Sequence, residues 1–168
     1  MEGVWLTQER ALFSQCLCAL RKYRGQCLAQ AENYKKLGIR NEEQIEKLSN
    51  AINQNSDLFE YMSRHGPAVF GEEGSSLFQH IDVNFDTSDL MQLDAALHSA
   101  GRDWSSIGAR ERQEVYGPVL QALKTYLPSG GKVLVPGSGL CRLAVEIATA
   151  GYLVEANESA FIMLVISY

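Results

Sequence analysis

The sequence predicts an α/β chain, with a helical N-terminal part followed by one strand–helix–strand unit. Two observations carry this reading. Between Glu9 and Met62, apolar residues recur every three or four positions, the period of amphipathic helices. From Lys132 onward the pattern changes to a β-branched run, a glycine turn, a helical stretch and a second short strand. Composition supports a packed domain: 46% of the 168 residues are hydrophobic and 21% are charged.

The first helix spans about Glu9 to Leu37, its stripe formed by Leu12, Cys16, Leu20, Tyr23, Cys27, Ala31 and Tyr34, with Gly38 as its stop. Asn41 opens a second helix. Glu42 and Glu43 lie in its first turn, and Gln44, three residues on, completes a capping box. Its stripe runs Ile45, Leu48, Ile52, Phe59 and Met62. Two long helices joined by a short turn make an antiparallel hairpin over residues 1–65. Residues 66–86 contain Gly66-Pro67, Gly71, Gly74 and Ser75-Ser76 and read as a loop or linker.

Residues 87–130 return to helical spacing, first at Leu90, Leu93 and Leu97 towards Gly101, then between Glu111 and Leu127, where Pro118 should kink the helix or end its first turn. Residues 131–168 hold the sheet-forming unit. Lys132–Val135 is the first strand, Pro136-Gly137-Ser138-Gly139 the turn, Leu140–Ala150 the helix and Tyr152–Ala156 the second strand, an arrangement expected to give parallel strands.

Charge and cysteine usage narrow the function classes. The chain has 15 Lys plus Arg against 20 Asp plus Glu, a formal charge of −5, and no basic block. Nothing invites nucleic acid or anionic lipid through bulk electrostatics. The longest apolar run, Phe161–Ser167, is too short to cross a bilayer, and the N-terminus MEGVWLTQER lacks a secretory pattern. Cys16, Cys18, Cys27 and Cys141 fit a reducing compartment, so the expected location is cytoplasmic, with the nucleus as the alternative. Cys16-x-Cys18 has no second pair and no histidine at ligand spacing, so no metal site is expected.

The chemistry concentrates in the glycine turn. Gly137 and Gly139 follow a strand and precede a helix, the context in which backbone can approach a ligand without a Cβ in the way. The alternative is a tight turn that uses glycine for structure alone. A dinucleotide fingerprint would place a third glycine at Arg142, so the pattern argues against NAD or FAD. Glu158 ends the second strand, 21 residues after Gly137. A carboxylate there faces the crevice where ribose hydroxyls bind in open parallel sheets. It could equally cap the helix that starts near Ser159.

These residues resemble the carnosine N-methyltransferases. The resemblance rests on Val133-Leu-Val-Pro-Gly-Ser-Gly-Leu-Cys-Arg-Leu-Ala-Val-Glu-Ile-Ala, Gly151-Tyr152, Asn157-Glu158 and Met163-Leu164. Upstream, Arg102-Asp103-Trp104, Glu111-Arg112, Tyr116-x-Pro118 and the Ala19-Leu-Arg-x-Tyr23 region are also similar to that family. The resemblance implies a Rossmann-like, S-adenosylmethionine-dependent enzyme that methylates the imidazole of carnosine to give anserine. It further implies that Gly137 and Gly139 meet the methionine end of the cofactor, that Glu158 holds the ribose hydroxyls and that Arg102 reaches the methionyl carboxylate. Asp103 should point elsewhere on the helix, leaving Arg102 available.

Four positions depart from the family pattern. Cys141 replaces a glycine, Ser99 a cofactor-binding glutamine, and Ser159-Ala160 an aromatic-serine pair. No counterpart of the later strands or of the substrate-binding residues occurs before Tyr168, so the expectation is a truncated form holding the first cofactor-binding unit without the catalytic half. No catalytic residue is assigned, and His65, His80 and His98 are not needed because the reacting imidazole belongs to the substrate. The carnosine dipeptide is the expected partner, and a homodimer is the assembly considered. The competing class is a non-catalytic helical interaction module built on the first two helices.

Overall fold

A computed structural model of the chain describes residues 7–69, 71–72, 76 and 87–167. The described elements are α1 (Thr7–Lys36), α2 (Glu42–Val69), α3 (Thr87–Trp104), α4 (Ala109–Tyr126), β1 (Lys132–Pro136), α5 (Arg142–Thr149), β2 (Leu153–Asn157) and α6 (Phe161–Ser167). The N-terminal six residues and most of the expected 66–86 linker lie outside the described residues. The chain forms two compact units, residues 1–93 and 94–168.

In the first unit, α1 and α2 pack on each other through the stripes read from sequence. Leu17, Leu20, Tyr23, Ala31, Ile52 and Phe59 are buried, and the Tyr23 and Phe59 rings meet edge to face at 4.9 Å. Asn55 Nδ2 donates to the Tyr23 hydroxyl at 3.2 Å, giving the buried phenol a partner. The stripe is displaced at its start, where Phe13 is fully buried and Leu12 is 46% exposed.

Backbone chemistry sets the connection between the helices. Gly38, in the left-handed region at φ 65°, ends α1 with Gly38 N–H on the Lys35 carbonyl and Ile39 N–H on the Tyr34 carbonyl, a Schellman pair. The capping box forms in both directions. Gln44 N–H donates to Asn41 Oδ1 at 2.9 Å, and Asn41 N–H donates to Gln44 Oε1 at 3.1 Å.

One proline expectation is corrected, and one of the two outcomes considered for the other is excluded. Gly66-Pro67 does not end α2, which runs to Val69. Pro67 sits in the last turn, where its missing N–H removes one bond to the Ser63 carbonyl, and its ring is fully buried. Pro118 does not end the first turn of its helix, since α4 continues to Tyr126. The Glu114 carbonyl loses its intrahelical donor there, on a helix with no buried residue, where water can replace it.

The second unit contains the sheet. β1 and β2 pair in parallel, with Val133 opposite Val154 and Val135 opposite Ala156. The intervening α5 makes this a βαβ unit. Val135, Ala144, Ile147 and Tyr152 form its core, and Leu120, Leu123, Val133, Leu143 and Val154 pack around them. The opposite face carries Leu134 and Leu153, 58% and 68% exposed.

Candidate functional site

The site grows out of the carboxyl ends of β1 and β2. Three consecutive backbone N–H groups of the glycine turn are directed at two residues at the carboxyl end of β2. Gly137 N–H donates to Asn157 Oδ1 at 3.3 Å, Ser138 N–H to the Asn157 carbonyl at 2.9 Å, and Gly139 N–H to Glu158 Oε2 at 2.8 Å. Gly137, Gly139 and Cys141 all sit in the left-handed region, at φ 60°, 54° and 60°. A Cβ built at Gly137 or Gly139 would meet nothing within 4 Å. Backbone conformation therefore demands glycine here, and the side-chain positions open onto empty space.

Glu158 takes the capping role considered from sequence and also binds the glycine turn. Its Oε1 accepts Ser159 N–H at 2.7 Å and Ala160 N–H at 2.9 Å, just ahead of α6, while Oε2 reaches back to the glycine turn. The backbone N–H of Ala160, with those of Gly139 and Ser159, holds its carboxyl below the usual carboxylate range, against the opposing effect of burial. Glu158 is thus ionised at neutral pH and ties strand end, turn and helix start together.

Arg102 is engaged differently from the sequence reading. Its Nε and Nη2 donate to the two carboxylate oxygens of Asp103 at 2.7 and 3.1 Å. Asp103 does not point elsewhere: at the end of α3 the long arginine side chain folds back along the axis to its neighbour. Asp103 is 3% exposed and also accepts the Tyr116 hydroxyl at 3.1 Å. The hydrogen bond to Asp103 raises the Arg102 guanidinium pKa, and burial, aided by the Asp103 charge, raises that of the Tyr116 phenol. Arg112 caps the end of α3 by donating to the carbonyls of Arg102 and Ser105. A groove of about 460 Å³ runs beside this cluster, lined by Asp94, His98, Arg102, Ile107 and Glu111 among others.

Residues to which the sequence reading gave no site role connect these parts. Trp104 Nε1–H donates to the Leu140 carbonyl in the glycine turn at 3.0 Å. The Arg142 guanidinium lies over the Trp104 ring, 4.9 Å from its centroid, and donates to Glu146 at 2.6 and 3.0 Å. Gly108 lies against α3 so closely that a Cβ would stand 1.9 Å from the Arg102 carbonyl oxygen. The structure therefore brings Gly137, Gly139 and Glu158 into one hydrogen-bonded cluster and leaves the Arg102 guanidinium on Asp103.

The family model described as carnosine N-methyltransferase matches residues 79–168, more than half of the chain. The chain belongs to the carnosine N-methyltransferase family. Among relatives of that family, the fission yeast (Schizosaccharomyces pombe) carnosine N-methyltransferase is 35% identical over 133 residues, covering 74% of this chain and 34% of that protein. The Drosophila melanogaster protein named carnosine N-methyltransferase unmet is 37% identical over 98 residues, 52% of this chain and 22% of its own. The rat carnosine N-methyltransferase is 40% identical over 84 residues, 46% of this chain and 21% of its own. The chain thus spans between about a fifth and a third of the length of these family members. The family match contains the glycine turn, Glu158 and the whole Arg102–Asp103–Tyr116 cluster.

Proposed function

We propose that this chain forms the first cofactor-binding part of an S-adenosylmethionine-dependent N-methyltransferase that methylates the imidazole of carnosine to give anserine. The β1–α5–β2 unit is read as the opening of a Rossmann-like sheet. The observation that carries the reading is the junction at the strand ends, where a left-handed glycine turn with open side-chain positions meets an ionised Glu158 in a chain of this family.

The residues present fit the cofactor. Glycine at 137 and 139 lets a ligand lie against the turn, and the carboxylate of Glu158 can accept from ribose hydroxyls. Two carboxylate oxygens offer about four acceptor positions, and three are taken by backbone N–H groups. Accepting two hydroxyls therefore requires Glu158 to release one backbone donor. Arg102 can serve the methionyl carboxylate through a guanidinium edge that Asp103 leaves exposed, with Asp103 as the group that orients it. S-adenosylmethionine supplies an electrophilic methyl group, and the acceptor is the unprotonated imidazole nitrogen of the substrate.

Two parallel strands present only part of such a site. The 168-residue polypeptide is accordingly expected to bind cofactor weakly and not to turn over carnosine. A labelled-methyl assay with carnosine checks this on the chain alone and on a family-length protein carrying it. Anserine from the long form only is the expected result. Methyl transfer by neither form, with both folded, would contradict the assignment.

A further inference from the structure

The Leu140–Cys141 peptide is held at both of its polar ends. Trp104 Nε1–H donates to its carbonyl oxygen at 3.0 Å, and its N–H donates to the Ser138 carbonyl at 2.9 Å. The next backbone torsion is unfavourable: Cys141 has φ 60° and ψ 9°, a conformation that a Cβ penalises. Rotating this peptide by half a turn would return Cys141 to negative φ, and it would also break both hydrogen bonds. The strained turn persists because its surroundings over-determine it.

We propose that Trp104 is a positioning residue for the glycine turn, its indole N–H fixing the Leu140 carbonyl so that Cys141 stays left-handed and the turn keeps the shape that receives the ligand. The indole is itself held in place. The Arg142 guanidinium covers its face, and Glu146 anchors that guanidinium from the next turn of α5. This gives Arg142 a use at the position that excludes a dinucleotide fingerprint. It also explains how a cysteine is tolerated at 141, because the α3 terminus supplies from outside what a glycine would supply from its own freedom.

The effect on ligand affinity rests on the cofactor reading above, whereas the effect on turn geometry does not, so the two are measured separately. Amide hydrogen exchange at residue 141 and calorimetric binding of S-adenosylmethionine are compared in the wild-type chain, Trp104→Phe, Cys141→Gly and the double variant. Trp104→Phe is expected to speed exchange at residue 141 at least tenfold and to weaken binding at least fivefold, with α1 and α2 amides unchanged. Adding Cys141→Gly is expected to return both readouts to within twofold of wild type, a rescue that a purely structural role for the indole would not give. Unchanged exchange in Trp104→Phe, or a double variant as impaired as the single one, would overturn the proposal. Absence of binding to the wild-type chain would overturn the cofactor reading and leave exchange to decide the role of Trp104. Should Trp104→Phe fail to fold, exchange of the Trp104 indole N–H in the wild-type chain decides instead. Protection at least tenfold over free indole supports the hydrogen bond on this half-exposed ring, and the free-indole rate overturns it.

Discussion

The α1–α2 hairpin and the β1–α5–β2 unit solve the same problem, ending one element and starting the next, in opposite ways. In the hairpin, Gly38, Asn41 and Gln44 satisfy the helix ends within a few residues, and the side chains beyond them pair locally, as Lys47 does with Glu43. At the glycine turn the N–H groups of residues 137–139 are satisfied by Asn157 and Glu158, about twenty positions away, and a non-glycine residue is kept left-handed. The first arrangement needs nothing outside itself. The second maintains strain around open space, and the proposed ligand would occupy that space.

Several substitutions sharpen or break this contrast. The largest effect is expected at the α3–α4 junction that supports the turn. Gly108→Ala places a methyl group 1.9 Å from the Arg102 carbonyl oxygen, so the helices must separate. A loss of about 3 kcal/mol in denaturant unfolding is expected, at the upper end for overpacking. Gly137→Val combines a strained torsion with a side chain in the space the proposed ligand would occupy, and S-adenosylmethionine affinity should fall at least tenfold, about 1.4 kcal/mol. The same affinity in a folded Gly137→Val protein would remove the turn from the site.

In the hairpin the consequences are confined to stability. Asn41→Ala removes one side of the capping box and should cost about 1 kcal/mol without altering ligand binding. A change in affinity would mean that the two units are not independent in function. Lys47→Ala breaks an exposed pair and should change stability by less than about 0.5 kcal/mol.

The pH dependence of Glu158 separates the regions more finely. Its folded pKa lies below the unfolded value, so its contribution is complete above the ordinary carboxylate range. That contribution declines as pH drops below the ordinary carboxylate range and is gone once pH has fallen through the lowered folded pKa. The Gly139 amide resonance should therefore hold its position through mildly acidic pH, where an unperturbed glutamate already titrates, and move below it. Movement at the ordinary glutamate pH would mean that the hydrogen bonds to Glu158 are not made in solution.

Much of this arrangement was legible in the residues. Asn41 with Gln44 three positions on, Gly38 after a helical stripe, and a β-branched run leading into Gly137-Ser138-Gly139 are local signals, and each produced the expected local structure. The spacing from Gly137 to Glu158 also placed the carboxylate correctly at the sheet's carboxyl end. Failures came where a local rule met a tertiary one. Gly66-Pro67 read as a helix breaker, yet Pro67 lies buried in the last turn of α2. Neighbouring helical residues do not normally face each other, so Arg102 read as independent of Asp103, but a helix end lets a long side chain fold back. The Trp104 bond to Leu140 joins residues 36 positions apart and leaves no periodic trace in the sequence.

The central claim, that the turn and Glu158 form a cofactor site, is tested most directly by calorimetric titration of S-adenosylmethionine into the wild-type chain and Glu158→Gln. Glutamine keeps the size of the side chain and can still accept from backbone N–H groups, but it loses the charge and one acceptor oxygen. The account predicts saturable binding by the wild-type chain and at least tenfold weaker binding by Glu158→Gln, with both proteins folded. Equal affinities, or no binding by a folded wild-type chain, would contradict it.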